Sequence, residues 1–564
     1  MNQNLVERLL KIDEEGILDG YLQRPGHHPW AGEHIGKYLE AACNVWKNTH
    51  NAELKIQMDR LMYLLIHSQK EDGYLGTYTQ DEYWTSWDVW SHKYNLYGLL
   101  AYYNTTGYKP ALEACKKMGN LLCATFGNKS GQKDIILAGT HVGMAATSIL
   151  DPMVELYRYT GDKKYLDFCY YILEAWEQNN GPKIISRLLA TGNVKDVGNG
   201  KAYEMISNFT GLAKLYRVTA DKKILTPILI AWKSIADNKL YITGTTSSME
   251  YFQNDNKLPA EINDHIGEGC VTTTWIQFNK ELLAITGDIK YLEQIENSIY
   301  NHLLAAENPQ TGCVSYYTPL MGAKPYTCYI TCCQSSVPRG IALTPNFTVG
   351  TVKNILTLML YEPASYHQTI LAAGKKINLS INVVTNFPET DEVTVVLNTS
   401  QTAFFPISLR VPGWCTSFTA SVGNTTYTGI SNQYLTLNRL WKTGEKIKIS
   451  FKMPVQIIGG GSNYPNLIAY KRGPQVLALD ESLNGNFLKL NTLEAAKLLP
   501  VENNFEKVQE SILPKQWIGK QVYSVKLATT KKDTPSQNLL LVPFADAGQN
   551  NGTVKVWLPL HIYK

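Results

Sequence analysis

The sequence predicts a multidomain α + β protein: an N-terminal (α/α)6 barrel followed by a C-terminal β-sandwich region. Three observations carry this. A chain of 564 residues is too long for one hydrophobic core, so two or three domains are expected. The first 340 or so residues repeat a helix-like stretch that ends in Tyr-x-x-Thr-Gly or a near variant and leads into a second helix-like stretch. Near Pro345 the apolar period changes from helical to alternating.

The repeat is clearest at Tyr102-Tyr103-Asn104-Thr105-Thr106-Gly107 and Tyr157-Arg158-Tyr159-Thr160-Gly161-Asp162. It recurs at Tyr216-Arg217-Val218-Thr219-Ala220-Asp221 and Leu283-Ala284-Ile285-Thr286-Gly287-Asp288, with a weaker member at Val45-Trp46-Lys47-Asn48-Thr49. A Gly after Thr suits a helix C-terminal cap with positive φ, and the Asp then opens the next helix. Each unit is therefore an αα-hairpin whose apolar stripe must be covered by its neighbours. Open solenoids use shorter, more uniform repeats, so about six long, uneven units fit a closed barrel better. In that barrel the short turns lie at one end and the long loops line a cleft at the other. The barrel is assigned to residues 1–344, opening on a helix over Leu5 to Ile17.

Strands are expected over Ile355 to Tyr361, Lys376 to Val384, Glu392 to Asn398, Phe405 to Pro412, Gln433 to Trp441, Lys446 to Pro454 and Asn466 to Gly473. They fill a β-sandwich over 345–480. Residues 481–564 hold a short helix (Thr492 to Leu499) and further strands, including Val554 to Ile562. These complete the sandwich or form a small second β domain.

Composition narrows the function classes. A net charge of +4 without any Lys/Arg tract gives no case for nucleic acid. No apolar run reaches membrane-spanning length, so no membrane partner is expected. No signal peptide opens the chain; the compartment is periplasmic or extracytoplasmic if a leader precedes Met1, and otherwise cytoplasmic. The 34 Tyr and 12 Trp suit sugar-stacking platforms or an aromatic-rich helical core. The ten cysteines are scattered, unlike the dense framework of a small secreted domain, and thiols kept as thiolates by a metal fit better than five disulfides. Cys43, Cys115, Cys123 and Cys169 fall on helical faces as packing thiols.

Chemistry concentrates in two places. Adjacent Cys332 and Cys333 follow Glu268-Gly269-Cys270 by about sixty residues, and three thiols with one carboxylate complete a tetrahedral zinc shell. A vicinal disulfide and two unrelated buried thiols are the alternatives. Upstream, Glu250 lies in the polar stretch Gly244 to Phe252, so both carboxylates sit in one long loop on the cleft side. Cys270 begins a helix over Val271 to Ile285, whose N-terminus favours thiolate. The stretch His27 to His34 matches no common ligand spacing and reads as cleft-mouth loop, with Trp30 as a sugar platform. Trp84, Trp87 and Trp90 with His92 read as another cleft wall.

These segments resemble glycoside hydrolase family 127, whose best-known members are β-L-arabinofuranosidases. The resemblance rests on Gly267-Glu268-Gly269-Cys270, Met249-Glu250-Tyr251-Phe252 and Cys332-Cys333. The sandwich phrases Leu409-Arg410-Val411-Pro412-Gly413-Trp414 and Trp441-Lys442-Thr443-Gly444 add to it. It implies a Zn2+ ion on Glu268, Cys270, Cys332 and Cys333, with Cys332 as nucleophile and Glu250 as acid/base. It also implies Tyr316 near the nucleophile, and His92 and His141 as sugar contacts. A metal ligand is deprotonated outright, so zinc would keep Cys332 a thiolate without a general base. A thioglycosyl intermediate follows, with retention. Glu250 is then expected to have a pKa raised toward neutrality by a mostly dry pocket.

One departure matters. The arabinofuranosidases carry His-Ala-Val where this chain has Lys201-Ala202-Tyr203-Glu204. Lys201, with Arg339 nearby, is expected to read a carboxylate on the substrate; the alternative is a plain pairing with Glu204 along the helix. The leading expectation is a retaining zinc-thiolate exo-glycosidase of plant-glycan breakdown acting on an oligosaccharide or glycoside. A related enzyme releasing an acidic or branched deoxy sugar from pectin comes second. A non-catalytic, zinc-stabilised carbohydrate-binding protein and a polysaccharide lyase or unsaturated-uronyl hydrolase are the other readings, and a homodimer stays open.

Overall fold

The structure, a computed structural model, describes residues 2–372, 374–485, 496–498, 505–529 and 537–559. Eleven longer helices build the first part: α1 (His34–Thr49), α2 (Ala52–His67), α3 (Asp88–Thr106), α4 (Lys109–Thr125), α5 (Leu150–Thr160), α6 (Lys163–Trp176), α7 (Ala202–Thr219), α8 (Lys222–Asn238), α9 (Gly269–Thr286), α10 (Ile289–Asn297) and α11 (Cys332–Ala342). Helices α1, α3, α5, α7, α9 and α11 each pack on the next, and α11 returns to α1, closing an inner ring of six. The other five lie outside it. The sixth outer place is taken by the N-terminal turns Asn4–Leu9, where Asn4 Nδ2 donates to Pro338 O and Arg8 Nε to Gln334 O on α11. The helix expected over Leu5 to Ile17 is thus broken, because Asp13 caps a separate short helix (Glu14–Ile17) by accepting from Gly16 N.

The hairpin turns follow the sequence logic. Gly107, Gly161 and Gly287 cap α3, α5 and α9 with φ of 72°, 69° and 64°. Asp162, Asp221 and Asp288 accept a backbone N–H at the start of α6, α8 and α10. Ala220 replaces the glycine after α7 and still adopts φ 54°. Because every outer helix returns antiparallel, the inner helices run parallel and their N-termini gather at the end that carries the long loops.

Two sheets follow. A six-stranded sheet orders Thr425–Thr428, Phe418–Val422, Glu445–Phe451, Glu392–Thr399, Lys375–Thr385 and Ala364–Ala372. A four-stranded sheet orders Gln433–Trp441, Ala403–Val411, Ile355–Leu358 and Val349–Val352. Their inward faces bury one apolar cluster that includes Ile381, Val395, Leu397, Ile407, Leu409 and Trp441. A third sheet runs Val455–Gly459, Leu467–Arg472, Gln475–Asp480, Gln537–Pro543, Tyr523–Thr529 and Ala496–Leu498. Through Thr553–Lys555 it also takes in Met321–Ala323 from a barrel loop. The strand expected at Asn466 to Gly473 therefore joins this sheet, not the sandwich, and the expected border at 480 runs through it. The helix expected over Thr492 to Leu499 lies largely outside the described residues, and its described part, Ala496–Leu498, is a strand. Of the strand expected at Val554 to Ile562, Thr553–Lys555 and Leu558–Pro559 form, and 560–562 lie outside the described residues.

The phrase Leu409 to Trp414 proves to be a clamp between sandwich and barrel. Arg410, fully buried, donates through Nη1 to Glu296 Oε1 (2.6 Å) and through Nη2 to Glu296 Oε2 (2.8 Å) and Glu293 Oε1 (2.6 Å) on α10. Trp414 Nε1 adds a bond to Glu296 Oε2 at 2.8 Å. Removing one partner of such a buried pair strands the other charges, so Arg410→Met is expected to lower stability by about 3–5 kcal/mol. Denaturant unfolding of parent and variant measures it; a change within about 0.5 kcal/mol, the level of an ordinary surface substitution, would refute the clamp.

Candidate active site

Two helix N-termini converge where the sequence concentrates its chemistry. Glu268 is the N-cap of α9 and Cys270 lies in its first turn. Cys332 and Cys333 open α11, capped by Thr331, whose side chain accepts from Gln334 N at 3.2 Å. One ligand atom from each of Glu268, Cys270, Cys332 and Cys333 falls within 4.8 Å of the others. Cys270 and Cys333 have no exposed surface and Glu268 is buried. Cys332 alone of the four is partly exposed.

Four acidic groups this close cannot all ionise in the bare protein. Burial raises Glu268 and Cys333, and the thiol contact with Cys270, first, raises Cys332. Cys270 goes the other way: burial opposes its charge, but thiol hydrogen bonds from Cys332 and Cys333 and the charge of Lys37 outweigh it. The ionisation of the four is therefore coupled, and a bound cation would favour their charged forms. Lys37 and Glu33 were not singled out in the sequence. Lys37 Nζ, fully buried, donates to Cys332 O at 3.3 Å and pairs with Glu33 Oε1 at 2.8 Å. Trp90 Nε1 donates to the other Glu33 oxygen at 2.5 Å. Their Glu33-x-x-x-Lys37 spacing at a helix start was the available signal, as Thr331-x-x-Gln334 was for the cap.

Glu250 reaches the same site from the loop between α8 and α9. Its φ is +71°, and those of Ser247 and Met249 are +77° and +50°, a strained run of the kind that clusters at functional sites. Ala202 N donates to Glu250 O at 3.0 Å and Phe252 N to Gly200 O at 2.9 Å, so the loop is stitched to the entry of α7. Tyr316 OH donates to Glu250 Oε1 at 2.6 Å and Tyr317 OH to the same oxygen at 3.0 Å. Tyr316 also faces the cluster: after burial, Cys332 is the strongest influence raising its phenol. Its carbonyl accepts from Gly269 N at 3.1 Å. Cys313 and Cys328 form a disulfide that closes the loop carrying both tyrosines.

Lys201, the N-cap of α7, pairs with Glu250 Oε2, not with Glu204, and its Nζ lies 5.5 Å from the Tyr251 ring centre. Burial would raise Glu250, but this pair and the two tyrosine hydroxyls win and hold it below the usual glutamate value. The expectation of a raised Glu250 is corrected accordingly: Glu250 is partly buried, yet Lys201 and the two tyrosine hydroxyls outweigh that burial. Arg339 is not nearby in the cleft; it is buried against Glu40 at 3.4 Å and over the Tyr94 ring. His141 joins the site, with Nδ1 3.1 Å from Asn199 Nδ2, Nε2 4.0 Å from Glu204 Oε1 and its ring 5.6 Å from Trp87. His92 does not open onto the cleft. It is wholly buried, with Nδ1 2.9 Å from Asp88 O and Nε2 accepting from Leu75 N at 3.2 Å. In the stretch His27 to His34, Trp30 stays exposed, whereas Glu33 and His34 are buried, His34 Nδ1 lying 3.0 Å from Ser335 Oγ.

Comparison with known families decides what this arrangement belongs to. The model of the beta-L-arabinofuranosidase, GH127 catalytic domain matches residues 18–346, and that of the GH127 middle domain matches residues 359–453. The chain belongs to glycoside hydrolase family 127. It is a glycoside hydrolase whose partner is a glycan. A non-reducing end beta-L-arabinofuranosidase of Bifidobacterium longum subsp. longum is 25% identical over 518 residues, covering 79% of this chain and 75% of that one. A GH127 beta-L-arabinofuranosidase from Geobacillus stearothermophilus T6 superposes with a TM-score of 0.79 at 20% identity, over 99% of this chain and 96% of that one. A second GH127 beta-arabinofuranosidase gives 0.78 at 21% identity, over 97% and 92%. Both structures share the fold of this family 127 enzyme, helical barrel then β-sheets.

Proposed function

We propose that this family 127 enzyme is a retaining, zinc-dependent exo-glycosidase of plant-glycan breakdown, a β-L-arabinofuranosidase. In this reading Cys332 is the nucleophile and Glu250 the acid/base. The observation that carries it is the Glu268–Cys270–Cys332–Cys333 cluster with Cys332 as its one member facing solvent. Zinc fits the donor set. The sulfur–sulfur distances are 3.5 Å for Cys270–Cys333 and 3.9 Å for Cys332–Cys333. Tetrahedral zinc with bonds of about 2.3 Å asks for roughly 3.8 Å. Glu268 Oε2, buried without a partner, supplies the fourth donor. When bound, zinc holds the three sulfurs as thiolates.

The chain's own groups then divide the work. Cys332 Sγ attacks the anomeric carbon while Glu250 gives its proton to the leaving oxygen; a C–S bond forms and the glycosidic C–O bond breaks. Glu250, now a carboxylate, takes a proton from water as its oxygen displaces sulfur. Tyr316 holds Glu250 in place and stands beside Cys332, and His141 and Lys201 border the sugar. A carboxylate-bearing sugar is the second reading, supported by the ammonium of Lys201 at the site, although Lys201 must leave Glu250 to bind it.

Hydrolysis of p-nitrophenyl β-L-arabinofuranoside, with the first-formed anomer followed by NMR, tests the first reading. Retention and one zinc per chain are expected. Chelation should cut turnover by about 100-fold or more, with recovery on adding zinc. Inversion, or full turnover after verified zinc removal, would end the proposal. Faster hydrolysis of a uronic-acid glycoside, lost in Lys201→Ala, would favour the second reading.

A further inference from the structure

Lys201 stands between two carboxylates on different elements. Glu204 lies three residues on in the first turn of α7, within reach along the same helix. The ammonium is instead on Glu250, across the bridge that pairs Lys201 with Tyr251. Glu204 is left buried with Oε2 unpartnered. An ionised carboxylate in that position is costly, so its proton is held more tightly than on an ordinary glutamate. Burial, first, pushes it to about 7, Glu250 adds to the rise and Lys201 opposes it. Glu250 is its mirror image: paired, hydrogen-bonded and ionised.

We propose that Lys201 is a two-position switch between Glu250 and Glu204, which makes Glu204 a positioning residue that decides when Glu250 carries a proton. The inference rests on the reading of Glu250 as acid/base. In the position seen, Lys201 pairs with the Glu250 carboxylate and Glu204 is a neutral acid. In the other, Lys201 pairs with a Glu204 carboxylate and Glu250 is the neutral acid. One proton leaves a Glu204 oxygen and one arrives on a Glu250 oxygen; the trio stays neutral and nothing is oxidised or reduced. The groups facing Glu250 are Lys201 and Glu204 from α7, His141 from the loop before α5, Tyr316 and Tyr317 from their loop, and Glu268 from the start of α9. Those facing Glu204 are Lys201, Glu250, Glu268, His141 from the loop before α5 and Lys93 from α3. His141 is lowered to about 4, by burial first and then by Lys201, so it stays neutral near neutral pH and does not compete.

The test is the pH–rate profile of the full zinc-loaded chain and its Glu204→Gln and Lys201→Met variants, with thermal melts to confirm folding. In Glu204→Gln the second anchor is gone. The upper limb of the profile should move acidward by about one unit or more, with turnover near neutrality falling roughly 10-fold. In Lys201→Met that limb should move up, and adding Glu204→Gln to it should change little further. If Glu204→Gln does not fold, Glu204→Asp, which weakens the same anchor, should shift the limb in the same direction. A Glu204→Gln or Glu204→Asp profile superimposable on the parent's, or effects of Glu204→Gln and Lys201→Met that simply add, would overturn the switch. Glu250→Ala separates the two layers: parental turnover there overturns the acid/base reading itself, whereas an inactive Glu250→Ala beside an unmoved Glu204→Gln profile overturns the switch alone.

Discussion

On the proposed mechanism, changing Cys332 to serine is expected to lower kcat/KM by about 10,000-fold or more, because no other group at the site would replace the thiolate as nucleophile. A serine hydroxyl keeps the size of the side chain but holds its proton near neutral pH, and the first bond to carbon is then not made. The loss has to be separated from loss of metal, since Cys332 also belongs to the group of four that could hold the ion. Zinc content by elemental analysis does this. Cys333→Ser, fully buried and one residue along, acts through the metal only, so excess zinc should restore part of its turnover and none of that of Cys332→Ser. Zinc-loaded Cys332→Ser working at more than about 1% of parental turnover would show that sulfur is not the attacking atom.

The barrel was legible because its signals are local. Thr160-Gly161-Asp162 and Thr286-Gly287-Asp288 specify a left-handed cap and the next N-cap within three residues, and the structure uses them so. The four metal-type side chains could be listed for a similar reason: few roles suit Cys-Cys and Glu-x-Cys. What spacing does not carry is how loops meet. Glu250 and Lys201 are 49 residues apart, and only the pairing of residues 200–202 with 250–252 sets one on the other. The same contact reverses the expected direction of the Glu250 shift. His92 follows Trp90 by two positions, yet its orientation depends on Asp88 O and Leu75 N, which belong to two elements. In the β region, register decided the miss: Leu467–Arg472 alternates like any sandwich strand, and only its pairing with Val455–Gly459 and Gln475–Asp480 assigns it to the third sheet.

Glu250→Ala is the second large effect, expected to cost about 100- to 10,000-fold in kcat, and its signature differs from that of Cys332. With an activated leaving group such as p-nitrophenolate the first step needs little proton donation, so the sugar transfers to Cys332 and the later step, which needs a base, limits. A burst of p-nitrophenol followed by slow turnover should result, and azide, which needs no deprotonation, should restore the later step. Natural glycosides, whose alkoxide leaves badly, should show no burst. The pH dependence follows from the sign of the shift. Glu250 is held below the usual value by Lys201 and the two tyrosines, so at neutral pH its resting form is the carboxylate and the acid form grows as pH falls. Parental kcat/KM on alkyl glycosides should therefore rise from alkaline toward mildly acidic pH, and that rise should vanish in Glu250→Ala. A variant that keeps the parental rise, or shows neither burst nor azide rescue while folded and zinc-loaded, would move the proton-transfer role off Glu250.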